Sequence, residues 1–545
     1  MKKYKKYICI LLTFIGITSC DILELSPLDK ISETDTWSDQ ALIQVYVNGT
    51  YNAIKHGYSN EMISFAGDEA YSIFNNAGFS FAQTGELTSD NVTSMSDRLN
   101  MWKFAYGHLR NINIFFSKIN DAPVNEDFRK SAIGEMKFIQ AYIYSKLIWL
   151  YGGVPIITNV YDLNEDYTIT RNSYEECVNF IVSELDDAIS LLPDKQPDNQ
   201  KGRASGHACM ALKARVLLYA ASPLNNSGND RAKWQKAADA IEQLLDAGYQ
   251  LHNDYQDVFL TDNDEIIFAR YFTPGTSVNF QWINGRSGSN GSNEGCPTQN
   301  QVNAYEMVAT GLLPYNESPN GTLTVNTNSG YDPSNPYMGR DPRFYMSILY
   351  DGSMWAGRET ETYHGGLDSP ESSVGSWNAS LTAYCFKKFL NENIPPVGAS
   401  VNQTNPWIYF RYAEVLLNYA EAKFELGDEA TAREYLNKVR SRQGVEMPPV
   451  TDTGEALKKR IQGERRVELA FEEHRFFDVR RWKIAMETEN KNILAINIQK
   501  LSDNSKTYEI ITLKERNFFE QHYLLPIPRA EIDKSLNSLI QNPGY

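Results

Sequence analysis

A chain of 545 residues with 42% hydrophobic and 12% aromatic residues can bury a large core, which excludes global disorder. Its formal net charge of −16 excludes phosphate-dominated nucleic-acid binding, which needs a basic face, and disfavours anionic lipid surfaces. Length alone suggests about three or four domains of ordinary size, a count that helical-repeat proteins violate.

The N-terminus has the layout of an export signal. Lys2, Lys3, Lys5 and Lys6 form a basic region, Ile8 to Ile17 an apolar run too short to span a bilayer, and Ile17-Thr18-Ser19-Cys20 closes it with small residues. This predicts a bacterial lipoprotein signal over residues 1–19, lipid attachment at Cys20, a tether over 20–36, and a body held to the membrane by lipid alone. Cys177, Cys209, Cys296 and Cys385 are far apart and form no C-x-x-C, so neither a zinc site nor a redox motif is expected. Cys177 and Cys209 fall within helical patterns as core residues. A disulfide is permitted but not indicated.

Residues 37–272 read as helices interrupted by one long loop. Trp37 to Ile54 places Leu42, Val45, Tyr46 and Tyr51 on one face. Ser59 to Asp97 is a loop holding Phe65, Tyr71, Phe74, Phe79 and Phe81. Asp97 then reads as the N-cap of a helix bearing Trp102, Ala105, Leu109, Ile112 and Phe116. Asp127 to Leu150 follows and stops at Gly152-Gly153-Val154-Pro155; Ser173 to Leu192 opens with the capping box Ser173-Tyr174-Glu175-Glu176. Arg203 to Ala221 and Asp230 to Ala247 make another helical pair.

Residues 273–404 lose the helical period and are rich in Gly, Ser, Asn, Pro and aromatic rings, the composition of a functional insertion. Short strands are expected at Glu265–Tyr271, Tyr345–Tyr350 and Tyr384–Phe389. Gly285, Gly288 and Gly291 neither follow a strand nor open a helix, which reads as a mobile loop rather than a phosphate cradle.

Residues 405–545 return to helix. Trp407 to Gly444 reads as two helices joined at Gly427-Asp428, with Leu416, Tyr419, Ala420, Phe424 and Leu426 on one face and Ala432, Leu436 and Val439 on the other. With Gly427 at the turn, Leu416, Ala420, Ala432 and Leu436 match signature positions of a tetratricopeptide (TPR) repeat. Thr453 to Met486 reads as a further helix. There Arg465/Glu468, Glu472/Arg475 and Asp478/Arg481 stand three apart as exposed pairs of about 0.2–0.5 kcal/mol each, and Phe471, His474 and Phe477 face the core.

No catalytic signature appears: there is no H-E-x-x-H and no G-x-S-x-G. A carboxylate pair for sugar hydrolysis is the enzymatic alternative left open, and a TPR scaffold that only binds a protein partner is another. No cofactor or metal is expected, since Asp262-Asn263-Asp264-Glu265 lacks the glycine and distal glutamate of a calcium loop. The loop aromatics point to binding. A Trp or Tyr ring offers a flat apolar face to the C–H groups of a sugar while neighbouring Asn or Arg bonds its hydroxyls. On that ground the candidate ligand residues are Phe79, Phe81, Trp282, Asn284, Arg286, Trp355, Arg358, Tyr363 and Trp377.

Several motifs then converge on one family. Gly339-Arg340-Asp341-Pro342-Arg343-Phe344, the helix Arg411-Tyr412-Ala413-Glu414-Val415-Leu416-Leu417-Asn418-Tyr419-Ala420-Glu421-Ala422, Glu464-Arg465-Arg466-Val467-Glu468-Leu469-Ala470-Phe471-Glu472 with Arg475, Asp478, Arg480, Arg481 and Trp482, and the ending Gln541-Asn542-Pro543-Gly544-Tyr545 resemble, in this order, the SusD/RagB family of outer-membrane nutrient-binding lipoproteins. The resemblance implies a mainly α fold, with TPR-like helical hairpins carrying long irregular loops and a few short β-strands. It also implies a lipid-anchored protein at the outer-membrane surface that caps a SusC-like TonB-dependent transporter and delivers oligosaccharides, or sometimes peptides, without catalysis. The matching motifs belong to the scaffold, so the ligand residues rest on the aromatic loops alone.

Overall fold

The computed structural model describes residues 33–74, 78–161, 168–395 and 403–545. The expected signal, the lipid site Cys20 and the tether before residue 33 lie outside the described residues. Among these, no helix is long and apolar enough to cross a membrane.

The long helices are α1 (Gln40–Thr50), α2 (Trp102–Lys118), α3 (Glu126–Tyr151), α4 (Tyr174–Leu191), α5 (Gly206–Ala221), α6 (Arg231–Glu242), α7 (Tyr412–Glu425), α8 (Glu429–Arg440) and α9 (Gly454–Glu468), with shorter α10 (Arg475–Arg481) and α11 (Arg529–Lys534). Local chemistry sets their ends. The α4 capping box forms as read: the Glu176 amide donates to Ser173 Oγ at 3.2 Å and the Ser173 amide to Glu176 Oε2 at 2.7 Å. Asn125 and Asp230 cap α3 and α6 without a reciprocal partner, their side chains accepting from the Asp127 and Ala232 amides. Gly427, at φ +82°, makes the turn between α7 and α8 that a side chain would strain.

Helices α2 to α6 pack each against the next, and α7 continues the row by lying against α6 and α8. The insertion separates α6 from α7 in sequence while the scaffold holds them together in space. Two strands close its neck: β2 (Ile266–Arg270) pairs antiparallel with β4 (Trp407–Arg411), Trp407 opposite Arg270 and Arg411 opposite Ile266. Elsewhere β1 (Ala70–Ser72) pairs with β3 (Gly295–Pro297), and β5 (Ile493–Lys500) with β6 (Lys506–Lys514).

The core face read for α7 and α8 is present, with Leu416, Ala420, Ala432, Leu436 and Val439 all buried. Other expectations change. Trp407–Arg411 is a strand rather than the start of a helix, buried on both faces against the scaffold. In α1 the buried stripe is Ile43, Val47 and Thr50, and Val45 is exposed. Asp97 caps nothing, because α2 begins at Trp102: the guanidinium of Arg98 is drawn to the His56 carbonyl and to Glu473, which ties that segment to the far end of the chain. Tyr345–Tyr350 is strand only at Ile348–Leu349, after a short helix Pro342–Ser347 capped by Asp341.

The helix expected over Thr453–Met486 breaks between Leu469 and His474, where Phe471 and Glu473 adopt φ of +64° and +66°. Such angles cost free energy in non-glycine residues. Here the Phe471 amide donates to buried Glu69 at 2.9 Å and its ring packs on Phe386. Burial pushes the Glu69 carboxyl up to about 7, with Asp68 adding to the shift and the Phe471 amide opposing it.

The charged pairs on this stretch are not exposed. Glu468 accepts from Arg411 Nη1 and Arg442 Nη2, each at 2.7 Å, and from Arg343 Nη1 at 2.9 Å, with all four side chains out of water. Glu265 joins Arg411 and Arg442, Glu464 joins Arg343 and Arg440, and Glu472 joins Arg411 and Lys388. Arg475 pairs with Asp68 instead of Glu472, and Asp478 holds both Arg481 and Arg465. Burial raises the Glu468 carboxyl, but Arg442, Arg411 and Arg343 outweigh it and hold the group far below the carboxylate range. This network stitches the insertion and the neck strands to α8 and α9.

Candidate ligand-binding face

Three segments meet to form the face that carries the predicted site residues. β1 brings residues 70–74 beside 294–297, extended by a hydrogen bond from the Ile73 amide to the Glu294 carbonyl at 3.0 Å. The turn at 284–293 packs on the loop 355–378. Buried Arg286 donates to the Trp355 carbonyl at 2.6 Å and to Thr360 Oγ1 at 3.0 Å. Arg358 grips both oxygens of buried Asp368 at 2.7 and 2.8 Å and reaches Ser289 Oγ at 3.0 Å. Asn378 Nδ2 closes the join at the Gly291 carbonyl, 2.6 Å away. Hydrogen bonding to Asp368 holds the Arg358 guanidinium above its ordinary value, whereas burial lowers that of Arg286.

This arrangement corrects the reading of the glycine run as a mobile loop. A Cβ at Gly291 would stand 2.1 Å from the Gly285 carbonyl oxygen, and one at Gly288 would stand 2.7 Å from Asp368 Oδ1. The glycines are there because backbone meets backbone and side chain at contact distance.

The candidate residues therefore divide into struts and surface. Phe79, Asn284, Arg286 and Trp355 are buried and unable to face a ligand. Phe79 packs on Phe65, Asn284 Oδ1 accepts from the Gly295 amide at 2.9 Å, and the Trp355 ring lies under the Lys387 ammonium. Phe81, Trp282 and Tyr363 are half-buried, the last with the Lys500 and Lys506 ammonium groups over its ring at 5.0 and 4.7 Å. Arg358 is half-buried and committed to Asp368. Trp377 alone of the set stands in solvent, 70% exposed. It stacks on Phe74, ring centres 5.9 Å apart and planes within 24°. Phe74 was absent from the candidate set, though its place in the aromatic loop after Ser59 was a signal for it. Leu367, Val374 and Leu381 extend the exposed apolar surface of the same loop. Among the described residues no group of three or more His, Cys, Asp and Glu side chains is placed to hold a metal ion.

Residues 260–545 match the model of the SusD family, and residues 21–218 match a family described as starch-binding and associating with the outer membrane. The chain belongs to the SusD family. This SusD-family chain is 25% identical to SusD-like protein P25 of Formosa agariphila, over all of both chains. The crystal structure of a SusD-like protein from Bacteroides fragilis superposes with a TM-score of 0.80 at 30% identity, covering 95% of this chain and all of that one. A SusD-like carbohydrate-binding protein from the same species superposes at 0.76 with 23% identity, covering 92% of this chain and 99% of that one. The mainly α fold is thus that of the SusD family.

Proposed function

We propose that this protein is a lipid-anchored outer-membrane binder that captures an oligosaccharide on the Trp377 face and hands it to a SusC-like TonB-dependent transporter, without catalysis. The observation that carries the reading is Trp377 itself. An indole left 70% in water forgoes roughly 2 kcal/mol of burial, and it stands on a base fixed by Arg358 and Asp368. A rigid exposed ring is what stacking on a sugar requires, and Phe74 supports it from behind. The carbohydrate-binding relative and the starch-binding family description support a glycan as the ligand. Lipid at Cys20 supplies the anchor in this reading.

Affinity electrophoresis against a panel of neutral polysaccharides tests it. At least one should retard the protein, and Trp377→Ala should weaken the retardation. Capture of peptides with no glycan bound would replace the ligand class, and new reducing ends on incubation with a glycan would overturn the non-catalytic reading.

A further inference from the structure

One cavity of the protein lies away from the Trp377 face. About 660 Å³ opens between α2, the segment after Pro155, and the C-terminal stretch from α11 to Leu539. That volume lies within the range of small-molecule sites. Its walls are mainly apolar, with Tyr106, Leu109, Pro155, Ile157, Ile169 and Leu539 among them and the edge of Trp102 behind.

Two of the polar side chains in those walls, Tyr106 and Asn113, are already used. The Tyr106 hydroxyl donates to the Pro155 carbonyl at 2.9 Å, and Asn113 Nδ2 donates to the Ile157 carbonyl at 2.9 Å. A sugar placed in the apolar interior would leave hydroxyls there without partners, a cost that disfavours it. The mouth has the opposite character. Lys103, Arg110 and Lys534 line it with a single carboxylate, Glu531, which pairs with Lys534 at 2.7 Å. Arg110 donates to the Tyr161 carbonyl, and among the described residues neither it nor exposed Lys103 has an ion-pair partner. On a chain of net charge −16 this is, among the described residues, a local reversal of sign.

Apolar walls that include aromatic residues, with an excess of cations at the mouth, select a flat apolar body with one anionic end. We infer that this cavity is a second ligand site, separate from the glycan face, for a small aromatic carboxylate whose ring enters the apolar interior and whose carboxylate stays at the mouth among Lys103, Lys534 and Arg110.

Calorimetry on the purified protein with 2-naphthoate tests this. Binding is expected, weaker by about tenfold or more in Lys103→Glu/Lys534→Glu and in the cavity-filling Ile157→Trp variant. Trp377→Ala should bind the probe as the unaltered protein does, which separates this site from the glycan reading. The charge-reversed side chains are exposed, so that variant keeps the test alive if Ile157→Trp fails to fold. Three results would overturn the inference: no binding up to millimolar probe, 2-naphthamide or decanoate binding as tightly as 2-naphthoate, or unchanged affinity in Lys103→Glu/Lys534→Glu.

Discussion

Around Glu468 three guanidiniums and their carboxylates are almost wholly removed from water, whereas at Trp377 a large apolar ring is left in it. The scaffold buries these charges and the insertion leaves this one ring exposed, each against the usual trend. The difference has a physical reading. A buried ion pair does little for net stability, because desolvation offsets its attraction, but its directional bonds admit one arrangement of the elements it joins. An exposed ring does nothing for the fold and keeps its apolar face available to a ligand. One region fixes geometry and the other uses it.

The largest effect should come from breaking the buried side of this comparison. Glu468→Ala leaves three guanidiniums without a shared partner and should cost about 3–5 kcal/mol in denaturant unfolding. A loss below about 1 kcal/mol would mean that solvent reaches the cluster.

The pH dependence should have two opposed parts. Glu468 is held below its unfolded pKa, so its contribution is present above about pH 4.3 and is lost as pH falls toward the folded value. Glu69, raised to about 7, contributes fully below the unfolded value and loses that contribution as pH rises through 7. Glu69→Gln should therefore be more stable than the unaltered protein at pH 8, by up to about 3 kcal/mol, and nearly equal to it at pH 4. Paired unfolding curves at the two pH values decide it, and a constant difference would remove Glu69 as the cause.

Trp377→Ala addresses the exposed side. Affinity for the bound glycan should fall by about 1–3 kcal/mol while unfolding free energy stays within about 0.5 kcal/mol. A matching loss of stability would make Trp377 part of the fold instead. Phe74→Ala should show the smallest effect, about 0.5–1 kcal/mol in affinity, since it acts only through its stack on Trp377.

What the sequence made legible follows the same division. The helical row could be read because its causes are local: the capping box at Ser173, the positive φ at Gly427, the small residues Ala420 and Ala432. The charges of α9 and α10 misled because three-residue spacing looks like a surface pair. Their true partners, Arg343 and Arg411 for Glu464 and Glu468, lie on elements that only folding brings near. Burial inside the insertion was equally hidden. Trp355 and Trp377 occupy similar glycine-rich surroundings, and only the grip of Arg286 on the Trp355 backbone distinguishes the covered ring from the open one. The β5–β6 hairpin went unread because no residue of β6 is buried, so it carries no apolar face to read.

The pairing of β2 with β4 sets the entry and exit of the insertion side by side on the scaffold, Arg270 across from Trp407. A loop whose two ends are already zipped together adds little closure entropy when its length changes. The segment between those residues is thus a natural cassette. Replacing 271–406 with the equivalent stretch of another SusD-like chain, together with its partner segment 70–74 and the Arg343 and Glu306 contacts that seat it on α8 and α9, should give a folded chimera that takes the specificity of its donor.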